Sequence, residues 1–201
     1  MNAATLLREV RRLRERGASS RGNIPTDRVE FARAAGIAAL DSWQLRLLRS
    51  TAPRVLLNCS RQSGKSTMAA ILALHQALAV SWSLVLILAP AERQAKELFS
   101  KVAEAYRTLG HSSAIPAESY RKLGMELSNG SRIEALPGTE KTVRGFSGVD
   151  LLIVDEASRV DDGLYHAVRP MLAVSGGSLM MLSTPFGKRG AFFEAWTGPE
   201  E

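Results

Sequence analysis

The sequence predicts an α/β domain in which a central, mainly parallel sheet is flanked by helices and carries a small antiparallel hairpin insert. Three observations predict it. From Arg54 onward, short runs rich in Leu, Val and Ile alternate with helix-length segments, the pattern of strands joined by covering helices. One such junction, "RVLLNCSRQSGKSTMAAILALHQAL", runs from strand through glycine-containing loop to apolar helix, and a later apolar run, "LLIVDEA", ends in two adjacent acids. With 201 residues, 45% of them hydrophobic, the chain can bury one substantial core, so a single folded domain is expected.

At the start, "ATLLREVRRLRERG" places Leu6, Leu7, Val10 and Leu13 at helical spacing, with Arg8, Arg11, Arg12, Arg14 and Arg16 around them. That is an amphipathic basic helix. "GASSRGNIP" follows as a linker, so residues 1–25 are read as separate from a folded domain over 26–201. Two short helices are expected around 27–35 and 41–50. Next come a strand at 54–58, a helix at 65–80, a strand at 84–88 and a helix at 91–108. In "MELSNGSRIEALPG", Asn129-Gly130 offers two positive-φ positions for a tight hairpin between short strands. The parallel pattern resumes with a strand at 150–154, a helix around 161–173, a strand at 178–183 and a last helix near 189–196. Five strands in one layer would suffice.

Bulk properties narrow the chemistry. The net charge of +6 suits a polyanionic partner, whether nucleotide, nucleic acid or acidic protein surface. A single cysteine, Cys59, and three scattered histidines, His75, His111 and His166, give neither a disulfide framework nor metal-ligand spacing, which fits a reducing compartment. No apolar run approaches the roughly 20 residues of a membrane helix, and no apolar signal core precedes a cleavage site, so the chain reads as soluble and intracellular.

The loop between strand and first long helix has the chemistry of a phosphate cradle. Its N–H groups can converge on an anion at the positive end of the helix that follows. Within "SRQSGKST", Ser60, Arg61, Gln62, Ser63 and Gly64 form the loop, Lys65 can reach β and γ phosphates, Ser66 can bind magnesium, and Thr67 supports the first helical turn. Cys59 stands where such loops usually begin with glycine. The loop can still close if residue 59 avoids positive φ, because Gly64 beside the lysine is intact.

Asp155 and Glu156 end their strand, where both carboxylates can turn toward a phosphate loop on the neighbouring strand. Asp155 would hold the magnesium bound by Ser66, and Glu156 would orient and deprotonate the attacking water. An acidic helix start is the plainer reading of the pair. The set resembles that of an ASCE-type P-loop NTPase, which implies ATP and Mg2+ as cofactors. The next strand, "SLMMLSTP", ends in Ser183 and Thr184, beside the carboxylates in such a sheet; a hydroxyl there can sense the γ phosphate, or the pair forms an ordinary strand-end turn.

Together these stretches resemble the N-terminal ATPase domain of the large terminase subunit of tailed bacteriophages, the motor that packages DNA. "SRQSGKST" resembles the family's variant phosphate loop, which lacks the first glycine and carries an arginine four residues before the lysine, here Arg61. "NGSRIEALPG" with "TVRGFSGVDLLIVDEAS" resembles the approach to its acidic pair, and "LSTPFGKRG" its coupling motif. "DSWQLRLLR" is similar to the adenine-recognition segment, with Gln44 as the base reader.

The resemblance spans roughly residues 40–196. It implies Arg61 as a phosphate-contacting arginine of the same subunit. Arg144 in "VRG" becomes either a finger into a neighbouring subunit's nucleotide or an ordinary surface arginine. It also implies double-stranded DNA, portal protein and small terminase subunit as partners, and a homo-oligomeric ring when assembled from a chain that is monomeric alone. The expected location is the host-cell cytoplasm, transiently docked on the procapsid. The family's nuclease domain has no counterpart here, so DNA cleavage is not expected of these 201 residues. Two rival readings share some of the residues: a helicase-like DNA-dependent ATPase fragment, and a nucleic-acid or procapsid binding module with a vestigial nucleotide site, which the basic N-terminal segment would suit.

Overall fold

The computed structural model describes residues 24–110, 115–139, 143 and 145–198. The expected N-terminal basic helix, and Arg144, lie outside the described residues. Helix α1 (Arg28–Ala34) begins at Asp27, whose carboxylate accepts the N–H groups of Val29 and Glu30, and α2 (Ser42–Arg49) follows. These two short helices lean on the first long one through Val29, Phe31, Ala32, Leu47 and Leu48, all buried. The core then alternates: β1 (Arg54–Asn58), α3 (Lys65–Ala79), β2 (Leu84–Ala89) and α4 (Glu92–Leu109). After β3 (Ala117–Arg121), β4 (Gly124–Leu127) and β5 (Arg132–Pro137) come β6 (Leu151–Asp155), a 3-10 turn (Ala157–Arg159), α5 (Asp162–Ser175), β7 (Ser178–Ser183) and α6 (Gly190–Thr197).

All seven strands form one sheet in the order β1-β7-β6-β2-β5-β4-β3. Pairing is parallel from β1 to β5 and antiparallel only for β5-β4 and β4-β3. Alternation along each strand splits the core in two. Val85, Ile87, Ile153, Met180 and Leu182 face α1 to α4, whereas Leu86, Leu88, Leu152, Val154 and Met181 face α5 and α6. Strands buried on both faces read as continuous apolar runs for this reason.

Two expectations need correcting. Five strands would have sufficed, but seven form the layer among the described residues: four expected parallel strands, the two of the hairpin, and β3, an outer antiparallel edge whose sequence, AESYR, is mostly exposed and has no apolar run to announce it. The expected antiparallel insert joins the main sheet through β5, which pairs in parallel with β2. At the turn only Gly130 has positive φ, at 78°. Asn129 instead uses its side chain: its Nδ2 donates to the Ala77 carbonyl, and its Oδ1 accepts from the Ser131 N–H.

Candidate functional site

The C-terminal ends of β1, β7 and β6 are in register, with Asn58 opposite Ser183 and Leu182 opposite Asp155, so the loops leaving them share one rim of the sheet. The carboxylate strand is not next to the phosphate-loop strand: β7 lies between them. Parallel strands joined through covering helices need not be neighbours, and nothing in either motif fixes how many strands separate them. The phosphate loop is tied to β7, as the Cys59 N–H donates to the Ser183 carbonyl and extends the β1–β7 ladder by one residue.

Cys59 does avoid positive φ; the loop turns at Gln62 (φ 60°) and Gly64 (φ 84°) instead. Left-handed conformation at a non-glycine residue such as Gln62 is unfavourable and concentrates at ligand-holding loops. Ser60, Arg61 and Gln62 stand exposed, while Ser63, Ser66 and Thr67 are half-buried. Among the described residues, no backbone carbonyl accepts from the N–H groups of Ser60 to Thr67. Ser63 Oγ is buried with no partner. Free donors around a helix start, with an orphaned hydroxyl beside them, fit an oxyanion such as the phosphates of a nucleotide. Gln44 is buried behind this loop; its Oε1 accepts the Asp41 N–H, and its Nε2 reaches the Ser63 carbonyl at 3.5 Å.

Lys65, the first residue of α3, is buried, and its Nζ lies 3.4 Å from Glu156 Oε1. Glu156 gets there by leaving β6 in a left-handed conformation, φ 48° and ψ 43°, which turns its side chain out of the strand's alternation. Its other oxygen, Oε2, accepts from Thr184 Oγ1 at 3.2 Å and lies 4.0 Å from Arg159 Nε. Asp155 ends β6, buried, with Oδ1 accepting the Glu156 N–H. Burial, then the neighbouring Glu156 charge, push its carboxyl up to about 6; the Glu156 N–H, Lys65 and Lys101 oppose them more weakly. A buried acid short of positive charge, with the Ser66 hydroxyl on the first turn of α3, fits a hard divalent cation.

Ser183 is fully buried, its hydroxyl 2.6 Å from Ser158 Oγ, and Ser158 also donates to the Thr184 carbonyl. Of the two residues expected to sense phosphate, Thr184 therefore turns its hydroxyl to Glu156 and Ser183 turns its own to the 3-10 turn. Sequence reasoning missed Ser158 and Arg159, though they directly follow the acidic pair, and Lys101, whose Nζ reaches Thr67 Oγ1 at 3.5 Å from α4. No local pattern marks Lys101.

With this geometry, the comparisons decide the family. The family model for the N-terminal region of the terminase large subunit, T4likevirus type, matches residues 56–201. The chain belongs to the terminase large-subunit family. It is similar to the large terminase subunits of Thermus virus P23-45 and Thermus phage G20c, 31% identical to each over 163 residues, covering 72% of this chain and 33% of each relative. The terminase chain thus spans about a third of the length of these curated relatives. Among solved structures it resembles the large terminase ATPase domain of Thermus phage P74-26, with TM-score 0.71, 26% identity, and coverage of 81% of this chain and 73% of that one. The large terminase of bacteriophage HK97 shares the fold at TM-score 0.60 and 18% identity, over 73% of this chain and 33% of that one. The terminase fold thus fits the ASCE-type P-loop architecture expected from sequence.

Proposed function

We propose that this chain is the ATPase unit of a phage DNA-packaging motor, hydrolysing ATP with magnesium to drive double-stranded DNA into a procapsid. The observation that carries this reading is the meeting of Lys65 with Glu156 at 3.4 Å, beside the buried Asp155. In it, the free N–H groups from Ser60 to Thr67 and the Lys65 ammonium hold the phosphates. Arg61 folds over them from the exposed rim, and Gln44 offers its remaining amide hydrogen to the base. Ser66 and Asp155 would hold the magnesium, which would supply positive charge to the phosphates when bound. Glu156 takes the proton of the attacking water as the water oxygen bonds to the γ phosphorus and the bond to ADP breaks.

Triphosphate and Glu156 compete for the same ammonium. When phosphate takes Lys65, Oε1 of Glu156 loses its partner and can face the water, while Thr184 keeps hold of Oε2. Loss of the γ phosphate reverses the exchange, and Thr184 carries it into the loop before α6. Arg144 completes a neighbouring subunit's site in the assembled ring. Portal protein, small terminase subunit and procapsid are the proposed partners, met in the host cytoplasm. The test is magnesium-dependent phosphate release by the purified chain: Lys65→Ala and Glu156→Gln should each lower it about 100-fold or more. Parental rates in either variant would overturn the assignment, and a parental chain that binds DNA without hydrolysing ATP would favour the binding-module reading.

A further inference from the structure

The turn after the acidic pair is built more firmly than a helix lead-in requires. Ser158 bolts it to the end of β7 by accepting or donating at three points: its N–H to Ser183 Oγ, its hydroxyl to the same oxygen, and its hydroxyl to the Thr184 carbonyl. Its last residue, Arg159, then stands between two groups of the site. The guanidinium Nε lies 4.0 Å from Glu156 Oε2, and its carbon lies 4.2 Å from the centroid of the Phe186 ring. Phe186 belongs to the segment that joins Thr184 to α6. A planar cation over an aromatic face is held in orientation as well as in place, which an arginine on a free surface is not.

We propose that Arg159, braced on Phe186, is a positioning residue for Glu156: with Thr184 it pins Oε2, so that Oε1 alone is released to water when phosphate draws Lys65 away. This rests on the ATPase reading above. Glu156 starts in a left-handed conformation and needs outside contacts to keep it. Thr184 supplies one neutral hydrogen bond, and Arg159 supplies the charge. Phe186 thereby ties the orientation of the base to the segment leading into α6, so a displacement of that segment would reach the catalytic carboxylate without touching nucleotide.

Steady-state ATP turnover of the purified chain tests it. Both side chains are substantially exposed, Arg159 at 39% and Phe186 at 43%, so replacing them leaves the core alone. Arg159→Gln should lower kcat about tenfold with KM for ATP within about twofold, and Arg159→Lys, which restores the charge but not the planar stack on Phe186, should recover only part of the loss. Phe186→Leu should lower kcat about threefold, and the double variant R159Q/F186L should be no slower than R159Q alone. A raised KM at unchanged kcat, or fold-changes that multiply, would overturn the proposal. If the parental chain hydrolyses no ATP, the ATPase reading fails separately, and urea-unfolding cycles decide this one. Arg159→Gln should then be non-additive with both Glu156→Gln and Phe186→Leu; additivity in both cycles sinks it.

Discussion

Asp155 sits where an ionised carboxylate is unfavourable, and the consequence is measurable without nucleotide. Its folded-state value of about 6 exceeds the ordinary 3.8, so folding favours the protonated acid. Below about pH 4 both states are protonated and no penalty exists; it grows between 4 and 6 and is complete above 6, at about 3 kcal/mol. Asp155→Asn should therefore raise stability in urea at pH 7.5 by up to about 3 kcal/mol in metal-free buffer, with the gain vanishing near pH 4. Magnesium and a non-hydrolysable ATP analogue should reverse the ranking, stabilising the parent and leaving the variant unchanged. The places of Asp155, Glu156 and Lys65 were legible because each is defined by a strand end or a helix start within a short window. Ser158 and Arg159 were not. Their positions depend on the left-handed turn at Glu156, a backbone choice that a glutamate in the sequence does not announce.

At the scale of elements, periodicity placed the six described helices and the four strands β1, β2, β6 and β7 to within a residue or two, since each packs an apolar face against the core. It failed at β3, whose alternation is too weak and too exposed to separate from a loop. The hairpin turn shows the opposite limit: the dipeptide located the turn, but Asn129 spends its side chain on bonding to the end of α3 rather than on a mirror-image backbone. Gly177 is a stricter position than any turn residue. A Cβ there would collide with the Val149 carbonyl oxygen, which the Ser175 hydroxyl also engages just before β6. Gly177→Ala should cost about 3 kcal/mol in chemical denaturation, because backbone and not a side chain must yield. Ser178 N–H pairing with the Asp150 carbonyl should be lost with it, seen as faster amide exchange at the start of β7.

For the molecule as a whole, the order of strands was the part hidden from sequence, since covering helices permit several arrangements of a parallel sheet. The positive charge suits a polyanion and says no more. The proposed ring makes a prediction at this scale: Arg144→Ala should lower turnover at protein concentrations where chains associate and leave a dilute monomer unaffected. Equal loss at both would assign the arginine to its own subunit. The sheet order carries one more consequence. The strand that bears the phosphate loop is flanked on one side only, by β7, and its residues are at most half-buried, whereas β2 and β6 are wholly enclosed. Hydrogen exchange should find β1 the least protected of the parallel strands when no nucleotide is present, and should find its protection rising most when one binds. On the proposed reading, the softest rung of the sheet would lie next to the nucleotide.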